Sequence, residues 1–122
     1  MKTSRRKLGD LGEDLACAYL EAAGHEILHR NLNVGHLEID IISRDLRGLH
    51  FVEVKSRTAP LTADPADGAT VAKMSRIANA ALGFLAGFKG NSEVFFDLVT
   101  VVFEGNDAKV SYYPQVYWPI YV

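Results

Sequence analysis

The chain has little cysteine and no long apolar run, and both absences narrow its class. Cys17 is the single cysteine among 122 residues, so no disulfide can close within the chain, and a reducing cytoplasm is the expected setting. No stretch approaches the twenty or so apolar residues that cross a bilayer, so no membrane partner is expected. Charge of one sign is also lacking. Thirteen basic against fifteen acidic side chains leave a net −2, which argues against a strong sequence-independent coat for nucleic acid. Repeats, low-complexity tracts and composition breaks are absent as well, so residues 1–122 are expected to form one domain. The opening Met1-Lys2-Thr3-Ser4-Arg5-Arg6-Lys7 is basic like a secretion signal. Asp10, Glu13 and Asp14 follow where such a signal needs apolar residues, so no targeting segment is expected. The four histidines, His25, His29, His36 and His50, lack zinc-type spacing with Cys17 and are expected on the surface or in strands.

What is present is a patterned α/β chain. Leu11, Leu15, Ala18 and Ala22 recur at helical spacing and predict a helix over about 6–23, ended by Gly24. Residues 25–32, 37–43 and 49–57 read as strands, with Asp45-Leu46-Arg47-Gly48 as the turn between the last two. Residues 58–68, with Pro60, Pro65 and Gly68, read as a loop. A second helix is predicted over about 70–88, with Val71, Met74, Ala78, Leu82 and Leu85 as its buried stripe. Residues 93–103 form a strongly apolar strand and 109–113 a last strand. The order αβββαβ(β) predicts a mixed sheet flanked by helices.

The chemistry is concentrated in one hairpin. With the turn centred between Leu46 and Arg47, antiparallel partners sum to 93. Asp40 then faces Glu53, Glu38 faces Lys55 and Ile42 faces Phe51, all on one side of the sheet. Ile39 with Val54, Ile41 with Val52, and Ser43 with His50 occupy the other, mostly apolar side. Like charges directly opposed destabilise a sheet, so Asp40 against Glu53 asks for a compensating cation. Mg²⁺ or Mn²⁺, with their preference for oxygen ligands, would supply it. Lys55 lands beside them and can hold a water or a phosphate oxygen. The competing reading is a solvated face with two incidental cross-strand pairs.

These residues form a recognisable pattern. Gly9-Asp10-Leu11-Gly12-Glu13-Asp14-Leu15-Ala16, Leu37-Glu38-Ile39-Asp40, Phe51-Val52-Glu53-Val54-Lys55-Ser56-Arg57 and Lys73-Met74-Ser75-Arg76 follow one another, with Asp97 on a late strand. Together they resemble the YraN-type family of small bacterial proteins, within the PD-(D/E)XK superfamily that includes archaeal-type Holliday junction resolvases and restriction enzymes. Leu37 stands where that family has glycine. The resemblance implies a restriction-endonuclease-like fold and a metal-dependent endonuclease acting on DNA, branched or junction DNA included, with RNA an open alternative. It implies Asp40, Glu53 and Glu13 as metal ligands, Lys55 as their catalytic companion, and Arg57, Lys73 and Arg76 as phosphate contacts. Glu38 is either a fourth acid of the site or the ion-pair partner of Lys55. A non-catalytic nucleic-acid-binding module and a plain partner-binding protein are the competing functions. Residues 112–122, with five aromatics and two prolines, form an atypical tail expected to pack on the protein's own sheet, a homodimer contact being the main competitor.

Overall fold

A computed structural model describes residues 4–68 and 71–117; residues 1–3 of the basic start and 118–122 of the aromatic tail lie outside it. Helix α1 (Ser4–Ala22) is followed by strands β1 (Glu26–Val34), β2 (Leu37–Arg44) and β3 (Leu49–Thr58). A short 3₁₀ turn (Pro65–Gly68) leads to helix α2 (Val71–Ala86), then to β4 (Val94–Glu104) and β5 (Asp107–Tyr117). The five strands form one sheet in the order β1-β2-β3-β4-β5. Among the described strands only β3 and β4 run parallel, because the connection between them crosses over through α2; the other neighbours are antiparallel. This is the expected mixed α/β sheet with one helix on each face.

The two central strands are apolar on both sides, as strands covered twice must be. On the α2 side, Ile39, Ile42, Leu49, Phe51 and Phe96 pack against Met74, Ile77 and Ala81. On the α1 side, Ile41, Val52, Val99 and Val101 pack against Ala16, Cys17 and Leu20. The buried faces of the helices differ from the predicted stripes. In α1, Leu11 is 46% exposed and Ala18 and Ala22 are exposed, while Gly12, Ala16 and Leu20 face the sheet. The reason is close approach. A Cβ on Gly12 would fall 1.9 Å from Ser56 Oγ, so small residues, not large ones, mark the contact line. In α2, Val71 and Leu82 are exposed and Ile77, Ala80 and Ala81 are buried beside Met74 and Ala78.

The turn that sets the hairpin register is built as its sequence suggests. Asp45 Oδ1 accepts from the backbone N–H of Arg47 at 2.9 Å and of Gly48 at 3.2 Å, and Asp45 N–H donates to Gly48 O at 3.1 Å. Gly48 has φ +151°, and a Cβ there would meet Glu93 O at 2.3 Å, so this position admits only glycine without strain. At the far end, residues 112–117 of the aromatic segment belong to the sheet. They extend β5 four residues beyond the expected strand. The proline among them, Pro114, is tolerated because β5 is an edge strand and its register on β4 shifts between Phe96 and Leu98.

Candidate metal centre

The register that sums to 93 holds over four pairs, from Arg44↔Leu49 to Ile41↔Val52, and then the two strands part. Beyond that point β2 stays with β1, through Ile39↔Leu32 and Glu38↔Asn33, while β3 stays with β4. Asp40 sits at the fork. Its Oδ2 accepts the N–H of Val54 at 2.9 Å, so a carboxylate takes the place of a backbone carbonyl in the ladder. Asn31 on β1, with φ +51°, and Asp40 are both skipped by the β1–β2 ladder. Side-chain alternation breaks there. Ile39 therefore lies in the α2-side core with Ile42, not beside Ile41 and Val54 as strict alternation predicts.

Asp40 and Glu53 are not paired across an intact ladder, yet their carboxyls meet. Burial first, then the charge of Glu53, push the Asp40 carboxyl up to about 8, against the pull of the Val54 N–H. Glu13, reaching in from α1, is likewise raised, chiefly by burial, with Asn31 and Arg30 acting in the other direction. One oxygen of each of Glu13, Glu38 and Asp40 lies within 4.8 Å of the others. Among the described residues Glu13 Oε1 is buried without a hydrogen-bond partner, and the guanidinium of Arg30 stands 3.8 Å away. A cleft of about 490 Å³ opens over these groups, lined by Glu13, Asp40, Glu53, Val54 and Arg57 among others. An all-oxygen donor set with an unsatisfied buried oxygen suits a hard divalent cation such as Mg²⁺ or Mn²⁺.

The cations of the site come from β3 and α2. Lys73 Nζ pairs with Glu53 Oε1 at 2.5 Å, on a carboxylate whose side chain is only 8% exposed. Lys55 lies beside Lys73. Its own burial, then the neighbouring ammonium of Lys73 and the charge of Arg57, lower its amine to about 8, with Glu53 opposing. Lys73 is shifted the other way: burial alone would lower it, and Glu53 outweighs that. Arg76 is exposed and lines a shallow groove with Lys73, Glu38 and Glu53. Arg57 is exposed and donates from Nη1 to Ser56 O at 2.8 Å.

Each predicted site residue can thus be located. Glu13, Asp40 and Glu53 line one cleft, Lys55 and Lys73 flank Glu53, Arg76 sits at the neighbouring groove, and Arg57 edges the cleft. Lys73 does more than face solvent as a phosphate contact; it is the partner of a buried acid. The predicted Glu38–Lys55 facing does not form, because β2 and β3 have separated before they reach it. Glu38 turns instead to Glu13 and Asp40.

A second polar cluster escaped sequence reasoning. His25 is 7% exposed and His50 is fully buried, so neither is a surface residue. His50 Nδ1 bonds Asp97 Oδ2 at 2.7 Å and its Nε2 bonds Asp45 Oδ1 at 2.8 Å. Tyr112 Oη donates to Asp97 Oδ2 at 2.5 Å. The available signal was the hairpin arithmetic itself, which put Ser43 opposite His50 on the core side of the sheet.

Comparison with known proteins agrees with this arrangement of motifs. The pattern of the uncharacterised protein family UPF0102 matches residues 12–101. The chain is 35% identical over 113 residues to a UPF0102 protein of Bacteroides thetaiotaomicron, covering 93% of each. It is 40% identical over 106 residues to one from Chlorobium chlorochromatii, covering 86% of this chain and 82% of the relative. It is 35% identical over 118 residues to one from Geobacter metallireducens, covering 96% of this chain and 97% of the relative.

Proposed function

The chain belongs to the UPF0102 family, the YraN-type family its motifs resemble, and on that footing we propose that it is a metal-dependent endonuclease hydrolysing phosphodiester bonds in DNA. The observation that carries the reading is the fork between β2 and β3, which gathers Asp40, Glu53 and Glu13 around one cleft and sets two lysines beside them. Acids crowded this way are a cost to the fold, one that a structural role alone does not explain.

Asp40, Glu53 and Glu13 would hold Mg²⁺ or Mn²⁺, with Glu38 close enough to assist. Such an ion, when bound, supplies Lewis acidity toward a phosphate oxygen and a bound water of lowered pKa. The protein's own groups do the rest. Lys55, with an amine that titrates at about 8, can orient an attacking water and neutralise charge that develops on the phosphate. Lys73 keeps one oxygen of Glu53 fixed, and so restricts how that carboxylate can turn. Arg57 on β3 and Arg76 on α2 stand at the margins, where a nucleic-acid backbone passing over the cleft would meet them.

The decisive experiment uses purified protein with Mg²⁺ or Mn²⁺ and a panel of duplexes, flaps and four-way junctions, with single-stranded RNA included. Metal-dependent nicking that disappears in Asp40→Ala and in Lys55→Ala is the expected result. Salt-dependent binding of the same substrates with no cleavage in either metal would replace this reading with that of a non-catalytic binding module.

A further inference from the structure

Five residues beyond Asp40, where β2 gives way to its turn and about 16 Å off at the strand rise, the sheet gathers a second set of metal-type donors. His25 comes from the segment just before β1, His50 from β3, and Asp45 from the turn between β2 and β3. His50 Nε2 faces Asp45 Oδ1 at 2.8 Å, and His25 Nε2 faces Asp45 Oδ2 at 3.5 Å. The two imidazole centroids are 4.5 Å apart, and one donor atom from each of the three residues lies within 4.8 Å of the others. Each ring is held from behind through its other nitrogen. His50 Nδ1 is on Asp97 Oδ2 at 2.7 Å, and His25 Nδ1 is on Ser43 Oγ at 2.9 Å. Asp97 is fixed in turn by the hydroxyl of Tyr112 and by the backbone N–H of Gln115 at 2.9 Å.

This is more than one histidine needs. His50 would be satisfied by Asp97 and Asp45 alone, yet a second buried ring turns its Nε2 to the same carboxylate. Burial, reinforced by repulsion from His50, lowers the His25 pKa. Remote nitrogens anchored on a carboxylate and a hydroxyl are the arrangement that orients metal-binding imidazoles. The side chain of Asp45 is 16% exposed, which leaves a way in from solvent. The geometry points to a transition-metal site formed by His25 Nε2, His50 Nε2 and a carboxylate oxygen of Asp45, suited to Zn²⁺ and distinct from the oxygen-only cleft at Asp40. Nitrogen donors select such an ion over Mg²⁺. On loading, the proton between His50 Nε2 and Asp45 leaves to solvent, and His50 keeps its Nδ1–H toward Asp97. The bound ion would tie the start of β1 to the β2–β3 turn, and so brace the closed end of the hairpin whose open end carries Asp40 and Glu53.

The test is titration of chelator-stripped full-length protein with Zn²⁺ by calorimetry, and with Co²⁺ by visible absorption. One equivalent should bind to the double variant Asp40→Asn, Glu53→Gln, which disables the oxygen-only cleft, and the wild type should bind at least that one. Affinity should fall about a hundredfold or more in His25→Gln and in Asp45→Asn, since a lost ligand costs at least as much as a lost outer partner, and roughly tenfold in Ser43→Ala. Asp45→Asn keeps the acceptor for the Arg47 and Gly48 N–H groups, so circular dichroism should show an intact fold in at least that variant. Binding that follows Asp40 and Glu53 instead of His25 and Asp45 would overturn the proposal. So would the absence of saturable Zn²⁺ binding, which would leave His50 as an imidazolium held between two carboxylates.

Discussion

Replacing Asp40 by Asn should stabilise the metal-free protein, by an amount that the site fixes in sign and scale. The Asp40 carboxyl titrates at about 8 in the folded chain and near 4 once unfolded and hydrated. For an acid whose folded pKa is raised, the folded state binds the extra proton across that window, so stability falls as pH rises from about 4 towards 8. At neutral pH roughly three pH units of that window have been crossed, at about 1.4 kcal/mol each, so the ionisable carboxyl costs up to about 4 kcal/mol. Asparagine resembles the protonated acid. Its side-chain oxygen still accepts the Val54 N–H that Asp40 Oδ2 accepts now at 2.9 Å, and it carries no charge against Glu53. Urea unfolding with a chelator present should therefore show Asp40→Asn more stable than wild type by a few kcal/mol at pH 7, with most of the gap closed by pH 4, where the wild-type acid is protonated in the folded state and about half protonated in the unfolded one. On the proposed metal-binding reading, adding Mg²⁺ or Mn²⁺ should stabilise only the wild type, because only it keeps every proposed ligand. An asparagine variant no more stable than wild type at pH 7, or a gain of the same size at pH 4, would refute the reasoning. Either result would mean that the two carboxyls do not strain the fold.

Other expectations follow from single contacts. Lys73→Ala removes the cation from a nearly buried Glu53 and should destabilise the chain by roughly 2–3 kcal/mol in the same assay, an effect that Glu53→Gln on top should largely cancel. Gly48→Ala places a methyl 2.3 Å from Glu93 O at φ +151°, and should lower stability by about 2 kcal/mol or more, read as a drop in Tm. His50 has a raised pKa, since Asp97 and Asp45 outweigh the burial that alone would lower it, while Asp97 and Asp45 are themselves lowered. Its contribution should be fully present below the ordinary histidine value and lost as pH rises through the raised one. The contribution of the two acids should be lost as pH falls below the usual carboxylate range. His50 is the main group that lowers both acids, so a stability profile in which His50→Gln abolishes the alkaline loss and also weakens the acid one would verify that assignment. Tyr112→Phe, which removes one donor to Asp97, should cost roughly 1 kcal/mol without altering the fold, as judged by near-UV circular dichroism.

Residue order alone determined much of this protein. Period-two and helical patterning located seven elements and their type. The residues of the Asp45–Gly48 turn set a register that held from Ile41 to Arg44, hairpin pairing singled out Asp40, Glu53 and Lys55, and the family resemblance added Glu13, Arg57, Lys73 and Arg76 as the groups to watch. The elements, the register and the Asp40–Glu53–Lys55 group rest on local physics, namely alternation and turn chemistry; the remaining site residues rest on the resemblance. Tertiary structure decided what local rules cannot reach. Pairing arithmetic assumes that a ladder continues, whereas β2 and β3 each keep a second neighbour, β1 and β4, and those neighbours pull them apart at Asp40. Hence Glu38 turned from Lys55 to Glu13, and Ile39 changed faces. Helix stripes were misread because hydrophobicity favours large residues, while the closest contact of α1 with the sheet needs Gly12 and Ala16. The environment of His50 was likewise set by Asp97, forty-seven positions along the chain and brought alongside only when β4 joins β3 in parallel. A polar side chain in a strand is compatible with solvent or with a buried partner, and only the packed sheet chooses between them.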